Sequence, residues 1–274
     1  MTDTHWNGTA GCAWVEAQEL LDRTLQPFED LLLEAVSDSG ARQVLDIGCG
    51  TGSTTRAVGR LLGAAGRCLG NDISEPMIAA ARGLAEREAS PASFVCADAQ
   101  THAFEPAAFD MLISRFGVMF FDDSVQAFAN LRRAARSGGR LQCVVWRSAA
   151  ENPFMTTAER AAAPLLPNLP ARRADEPGQF GFADAQRVRS ILEESGWSEI
   201  DIRAIDVPCT LPENELTRYG TRFGPVGRVL QEAHPQTRAQ VAAAVRAAFD
   251  PYVHAAEVRF TAACWMVGAR NVSD

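Results

Sequence analysis

Val44-Leu45-Asp46-Ile47-Gly48-Cys49-Gly50-Thr51-Gly52 is a short apolar run that breaks into three glycines at alternate positions. Such a run, bounded by turn residues, suits a strand buried on both faces. The glycines let the backbone turn tightly and approach a ligand where a Cβ would collide. A helix follows from about 53 to 62, with Ser53 or a neighbouring threonine as its N-cap. A strand, a glycine turn and a helix put that turn in the crevice where open α/β sheets bind ligands.

Working outward, strand and helix patterns alternate from 43 to 147. Arg67-Cys68-Leu69-Gly70-Asn71, Ser93-Phe94-Val95-Cys96 and Phe109-Asp110-Met111-Leu112-Ile113 read as the next three strands, and 140–146 as a fifth. Helices are expected from Ser74-Glu75-Pro76 onward and over 125–136, the latter closed by Gly138-Gly139. Alternation of this kind predicts an α/β, doubly wound, mostly parallel sheet of seven strands with helical cap insertions. Residues 1–42 read as an N-terminal helical cap, its stripe of Leu20, Leu21, Leu25, Phe28, Leu31 and Leu32 divided near Pro27. The nucleotide-type core spans 43–147, and 148–183 forms an insertion or lid. Residues 184–274 return to the sheet, with a strand at 199–207, a helical insertion at about 208–255 and a last strand at 258–268.

Composition removes whole classes of chemistry. The chain contains no lysine, so all 26 of its fixed positive charges are arginine. Phosphate-loop nucleotidases, protein kinases and pyridoxal enzymes each require a lysine, and all three are excluded. A net charge of −8 without a basic run argues against a nucleic-acid partner. No stretch of eighteen apolar residues occurs, which argues against a membrane span. The opening Met1–Trp6 lacks a basic segment followed by an apolar run, so a cytoplasmic chain is expected. Cys12, Cys49, Cys68, Cys96, Cys143, Cys209 and Cys264 form no Cys-x-x-Cys pair, and His5, His102, His234 and His254 show no ligand spacing; no metal is expected. A homodimer is compatible with the sequence.

From Asp46 through Gly52 the chain resembles the class I S-adenosylmethionine-dependent methyltransferases, whose first motif is an acid followed by Gly-x-Gly-x-Gly. The resemblance implies a Rossmann-like fold that binds S-adenosylmethionine and releases S-adenosylhomocysteine. It assigns Gly48, Cys49, Gly50 and Gly52 to the methionine moiety and Asp46 to its amino group and the loop. Asp72, about twenty residues beyond the turn, stands where an acid accepts both ribose hydroxyls. Asp98 and Ala99 match the adenine-binding acid and its neighbour, with Ile73 and Met77 alongside. Ser114 falls nearest the reacting sulfonium. A dinucleotide fold would need Gly-x-Gly-x-x-Gly instead, and a short-chain dehydrogenase would need a lysine.

The Asn/Asp-Pro-Pro-Tyr segment of amino-methylating DNA enzymes is missing. The remaining resemblance is to the branch that methylates O, N or C of small molecules such as quinones and natural products. Arg115, Phe116, Met119 and Phe120 are expected to shape the acceptor pocket, with Phe154, Phe180, Phe182, Tyr219 and Phe223 beneath the insertions and Trp6 and Trp14 closing over the cofactor. Arg115, Arg218 and Arg222 could hold an acidic acceptor. His5 and His234 are the weak choices for a general base; no catalytic residue is otherwise assigned. A non-catalytic S-adenosylmethionine sensor or subunit, and an enzyme acting on protein or RNA, stay open as alternatives.

Overall fold

The computed structural model describes residues 6–172 and 176–272. Its centre is β1 (Gln43–Ile47), whose Val44, Leu45, Asp46 and Ile47 are all buried. β2 (Arg67–Asp72), β3 (Ser93–Cys96), β4 (Phe109–Arg115) and β5 (Ala135–Trp146) follow, and these five strands are parallel to one another. Strand order is β3-β2-β1-β4-β5-β8-β6, where β6 is Ser198–Pro212 and β8 is Glu257–Arg270. β8 runs antiparallel to both β5 and β6, and a two-residue β7 (Val253–His254) pairs with it. The chain moves outward from β1 in one direction through β2 and β3, then in the other through β4 and β5. Right-handed crossovers therefore place helices on both sides of the sheet.

Between these strands lie α4 (Ser53–Leu62), α5 (Glu75–Arg87), α6 (Ser124–Ala134) and α8 (Ala185–Glu194). Their starts follow side-chain chemistry: Ser74 accepts from the Met77 amide, Asp123 from Gln126 and Asp184 from Gln186. The N-terminal stripe divides into α1 (Thr9–Glu16), α2 (Gln18–Thr24) and α3 (Gln26–Ser39), with Pro27 in the first turn of α3 where its missing amide costs nothing. Phe28, Leu32 and Val36 of α3 are buried in the main core, beside Val44, Leu45, Met111, Leu112 and Val145.

Two strands run longer than their sequence pattern predicts. β5 starts at Ala135 because a register shift opposite Phe109 and Met111, with Gly138 at φ +75°, absorbs the glycine pair inside the strand. β6 continues to Pro212 because it lies at the sheet edge and pairs with β8 throughout, and an edge strand tolerates the prolines at 208 and 212. The helical excursion accordingly begins at Glu213. It holds α9 (Leu216–Arg222), α10 (Gly224–Glu232) and α11 (Pro235–Ala248), which pack with α7 (Pro153–Ala162) into a small cap.

Candidate active site

Parallel strands end on one edge of the sheet, so the turns after β1, β2 and β3 gather there. Gly48, Gly50 and Gly52 all adopt left-handed φ, at +65°, +56° and +76°. At Gly48 the need is also spatial: a Cβ would lie 2.6 Å from the Gly117 Cα. At Gly52 it would lie 2.6 Å from the Phe94 ring. The Cys49 amide donates to the Asn71 carbonyl (2.9 Å), and the Gly50 amide to Asp72 Oδ2 (2.8 Å). Asp72 Oδ1 accepts from the Ser74 amide (2.9 Å), so this carboxylate braces both the glycine turn and the start of α5. Asp46 is buried beneath the turn and accepts from Thr55 Oγ1 at 2.7 Å. Burial raises its pKa to about 6, against the Thr55 bond. Burial also raises the Asp72 pKa, opposed by its amide donors.

A cleft of about 870 Å³ opens above these turns, toward the upper end of the usual range for small-molecule sites. Asp46, Gly48, Cys49, Gly50, Asp72, Ile73, Met77, Asp98 and Ala99 line it together. Gly52 does not, since it faces Phe94 and Ala81 and serves the packing of α4 on α5 and β3. Ser114 does not either: its hydroxyl donates to the Ile47 carbonyl (2.8 Å) and accepts from the Gly117 amide (3.1 Å). It ties the end of β4 to the end of β1. The residues fit the expected cofactor on a further observation. Thr54 borders the cleft, and its hydroxyl is buried with no partner.

Arg115, Phe116, Met119 and Phe120 line the same cleft. Phe116 adopts φ +64°, uncommon for a side chain of its size. The surroundings hold it there: its ring stacks on Trp146 with centroids 4.4 Å apart and meets the Phe28 edge at 4.9 Å. Arg115 sits between Asp22 and Glu29, 3.8 Å from each, and donates to the Leu25 carbonyl. Burial raises the Asp22 pKa, against Gln18 and Arg115. Glu29 also accepts from the Ser53 hydroxyl. Sequence reasoning missed Asp22 and Glu29. Their seven-residue spacing beside the buried leucines is the available signal, although Asp22 stands on α2 and Glu29 on α3.

The far half of the cleft is aromatic. Phe154, Tyr219, Phe223 and Phe180 border it, as do Trp6, Trp14, Met155 and Phe249, the last two unforeseen. Phe182 packs on Phe128 in the core instead, with centroids 6.0 Å apart. The N-terminal segment crosses the opening. Trp6 meets Phe120 edge-on at 5.3 Å, Trp14 meets Phe223 at 6.0 Å, and Glu16 pairs with Arg222 while its carbonyl accepts from Arg218. At its other end Ser74 Oγ donates to the Trp6 carbonyl (2.7 Å). His234 is exposed, caps α11 by accepting from the Gln236 amide, and is not among the lining residues. His5 lies outside the described residues. No group of three or more His, Cys, Asp or Glu with metal-binding geometry occurs among the described residues.

Residues 44–139 match the family described as Methyltransferase domain. The chain is 30% identical to the ubiquinone/menaquinone biosynthesis C-methyltransferase UbiE of Hahella chejuensis, across 59% of this chain and 70% of that protein. Among solved structures it resembles the YcgJ protein of Bacillus subtilis (TM-score 0.59, 15% identity, 90% of this chain and 98% of that one). It also resembles phosphoethanolamine N-methyltransferase 2 of Haemonchus contortus in complex with S-adenosyl-L-methionine (TM-score 0.52, 16% identity, 85% and 49%). With the glycine turn, the acid-tipped strands and the reversed β8 already in place, this similarity identifies the chain as a member of the class I S-adenosylmethionine-dependent methyltransferases.

Proposed function

We propose that the chain transfers the methyl group of S-adenosylmethionine to a flat, largely apolar small molecule held in the aromatic half of the cleft. The observation that carries this is the continuity of the two halves: the glycine turn and the Phe116–Trp146 stack border one space. The Hahella relative, named as a C-methyltransferase of ubiquinone and menaquinone biosynthesis, supports a ring-shaped acceptor. The net charge of −8 favours a small molecule over nucleic acid, and seven free thiols suit a reducing, cytoplasmic setting.

In this reading Gly48, Cys49 and Gly50 receive the methionine portion, with Asp46 steadying the turn from below. Asp72 keeps one lone pair on each oxygen for the ribose hydroxyls. Asp98 and Ala99, with Ile73 and Met77, border the adenine. Gly52 and Ser114 act through the shape of the two turns. Arg115, Phe116, Met119 and Phe120 face the junction with the acceptor. Bound there, the cofactor supplies an electrophilic methyl on a sulfonium. The chain's own contribution is alignment and exclusion of water by the aromatic walls and the N-terminal segment. No histidine lines the cleft among the described residues.

Calorimetry with S-adenosylhomocysteine, then mass spectrometry of small hydroxylated naphthalenes incubated with methyl-deuterated S-adenosylmethionine, tests the proposal. Cofactor binding and a labelled ring product are expected. Absent binding sinks the cofactor site; binding with label appearing only on added protein or RNA sinks the small-molecule acceptor.

A further inference from the structure

The acceptor half of the cleft is mostly carbon, and most polar groups along it are already engaged. Glu159 is held by Arg172, Ser148 by Glu151, and Gln18 by Asp22. Tyr219 differs. Its hydroxyl donates to the Met155 Sδ at 3.3 Å, and a thioether is a weak acceptor. The phenol is half-buried, and burial pushes its pKa up, so it remains a donor at any ordinary pH.

Its position is fixed from behind. A Cβ at the adjacent Gly220 would lie 2.7 Å from the Val245 side chain, so α9 lies close against α11 at this point. The Tyr219 ring leans on Phe154 (5.7 Å) and Phe223 (5.9 Å). Phe154 is in turn stacked on Phe260 of β8, with centroids 3.8 Å apart and planes within 1°. A donor set rigidly among aromatic walls, with only sulfur opposite, exchanges that sulfur for a ligand oxygen at little cost. An oxygen on the ligand gains a full hydrogen bond in a dry setting.

Building on the small-molecule reading above, we infer that Tyr219 is a specificity-determining residue that donates to an oxygen on the acceptor, which makes the acceptor an oxygen-bearing ring rather than a bare hydrocarbon or an ammonium. The bond orients the ring within the aromatic walls. No proton is transferred, and the phenol stays neutral throughout.

The test uses two probes of one shape, 1-tetralone and tetralin, in which a carbonyl replaces a methylene. Equilibrium dialysis measures both against the S-adenosylhomocysteine-saturated chain. Tyr219→Phe is expected to weaken 1-tetralone about three- to tenfold, the worth of one neutral hydrogen bond, and to leave tetralin within about twofold. Met155→Leu, which removes the resting partner but keeps the phenol, is expected to hold or improve 1-tetralone binding. Unchanged 1-tetralone affinity in Tyr219→Phe, equal loss of both probes, or no binding of 1-tetralone to the wild-type chain each overturns the inference. Failure of the wild-type chain to bind S-adenosylhomocysteine would instead strike the methyltransferase reading, so the two failures are separable.

Discussion

Replacing Gly117 by alanine isolates the contact between the two turns that meet at the methyl-transfer junction. Gly117 has φ −80° and ψ −33°, a conformation alanine adopts freely, so backbone strain is not at issue. The obstacle is purely spatial. A Cβ there would lie 2.4 Å from the Ile47 carbonyl oxygen, 2.7 Å from the Gly48 Cα and 3.0 Å from the Gly48 oxygen. All three are main-chain atoms and cannot rotate away. Restoring ordinary contact requires the turns to part by roughly 0.7–1.0 Å, overpacking that costs about 1–3 kcal/mol. For a chain of this size that lowers Tm by on the order of 5 °C. A gap of that width also forfeits roughly a quarter to a half of each van der Waals contact the turn makes with a ligand. S-adenosylhomocysteine affinity should therefore fall about tenfold. Gly48→Ala meets the same wall and adds about 1–2 kcal/mol for its left-handed φ, so it should be the worse of the pair. Differential scanning fluorimetry and calorimetry on both variants check the order. A Gly117→Ala protein that melts within a degree of wild type and binds the thioether equally well would refute the reasoning.

Three further outcomes follow from the buried charges. Asp46 has its pKa raised to about 6 from an ordinary 3.8, so between those values the folded chain retains a proton that the unfolded chain has lost. Stability therefore falls as pH rises through that window and levels off above it, by up to about 3 kcal/mol for this group. Asp46→Asn should remove that part of the slope in urea titrations from pH 4 to 7, leaving the part due to Asp22 and Asp72; an unaltered slope contradicts it. Arg115→Ala leaves Asp22 and Glu29 without their shared counter-charge and should cost about 3–5 kcal/mol, read as a shift in urea midpoint. Asp72→Ala should weaken S-adenosylhomocysteine binding by about 1.5–3 kcal/mol in calorimetry, with unchanged affinity in a folded variant counting against the ribose assignment.

The parallel part of the fold was legible because each of its strands is a short apolar run ended by a turn. The cleft was legible for a related reason. Parallel strands share one C-terminal edge, so Asp46, Asp72 and Asp98, each near the end of its own strand, were bound to converge. What could not be read was direction and facing. The Val258–Gly268 pattern suits a strand in either sense, and only its pairing with β5 and β6 reveals the reversal. Ser114 follows the apolar run that ends at Ile113, but it lies inside β4 and its side chain turns toward the Ile47 carbonyl rather than the cleft. Gly52 was read with the other glycines, yet the Phe94 ring from β3 is what requires it. The Arg115 partners come from α2 and α3, some ninety residues earlier. Helical spacing shows which side chains share a face and not what that face will meet.

The two ends of the cap excursion are neighbours across a strand ladder. Pro212 pairs with Glu257, and the Glu213 amide donates to the Ala256 carbonyl at 2.9 Å. The segment from Glu213 to Ala256, which includes the short β7, is therefore joined to β6 and β8 across a gap about one inter-strand spacing wide, ~5 Å. A foreign helical module whose termini close to that span therefore meets the sheet at the same two points as the native one. The glycine turn and the strand register would be left as they are.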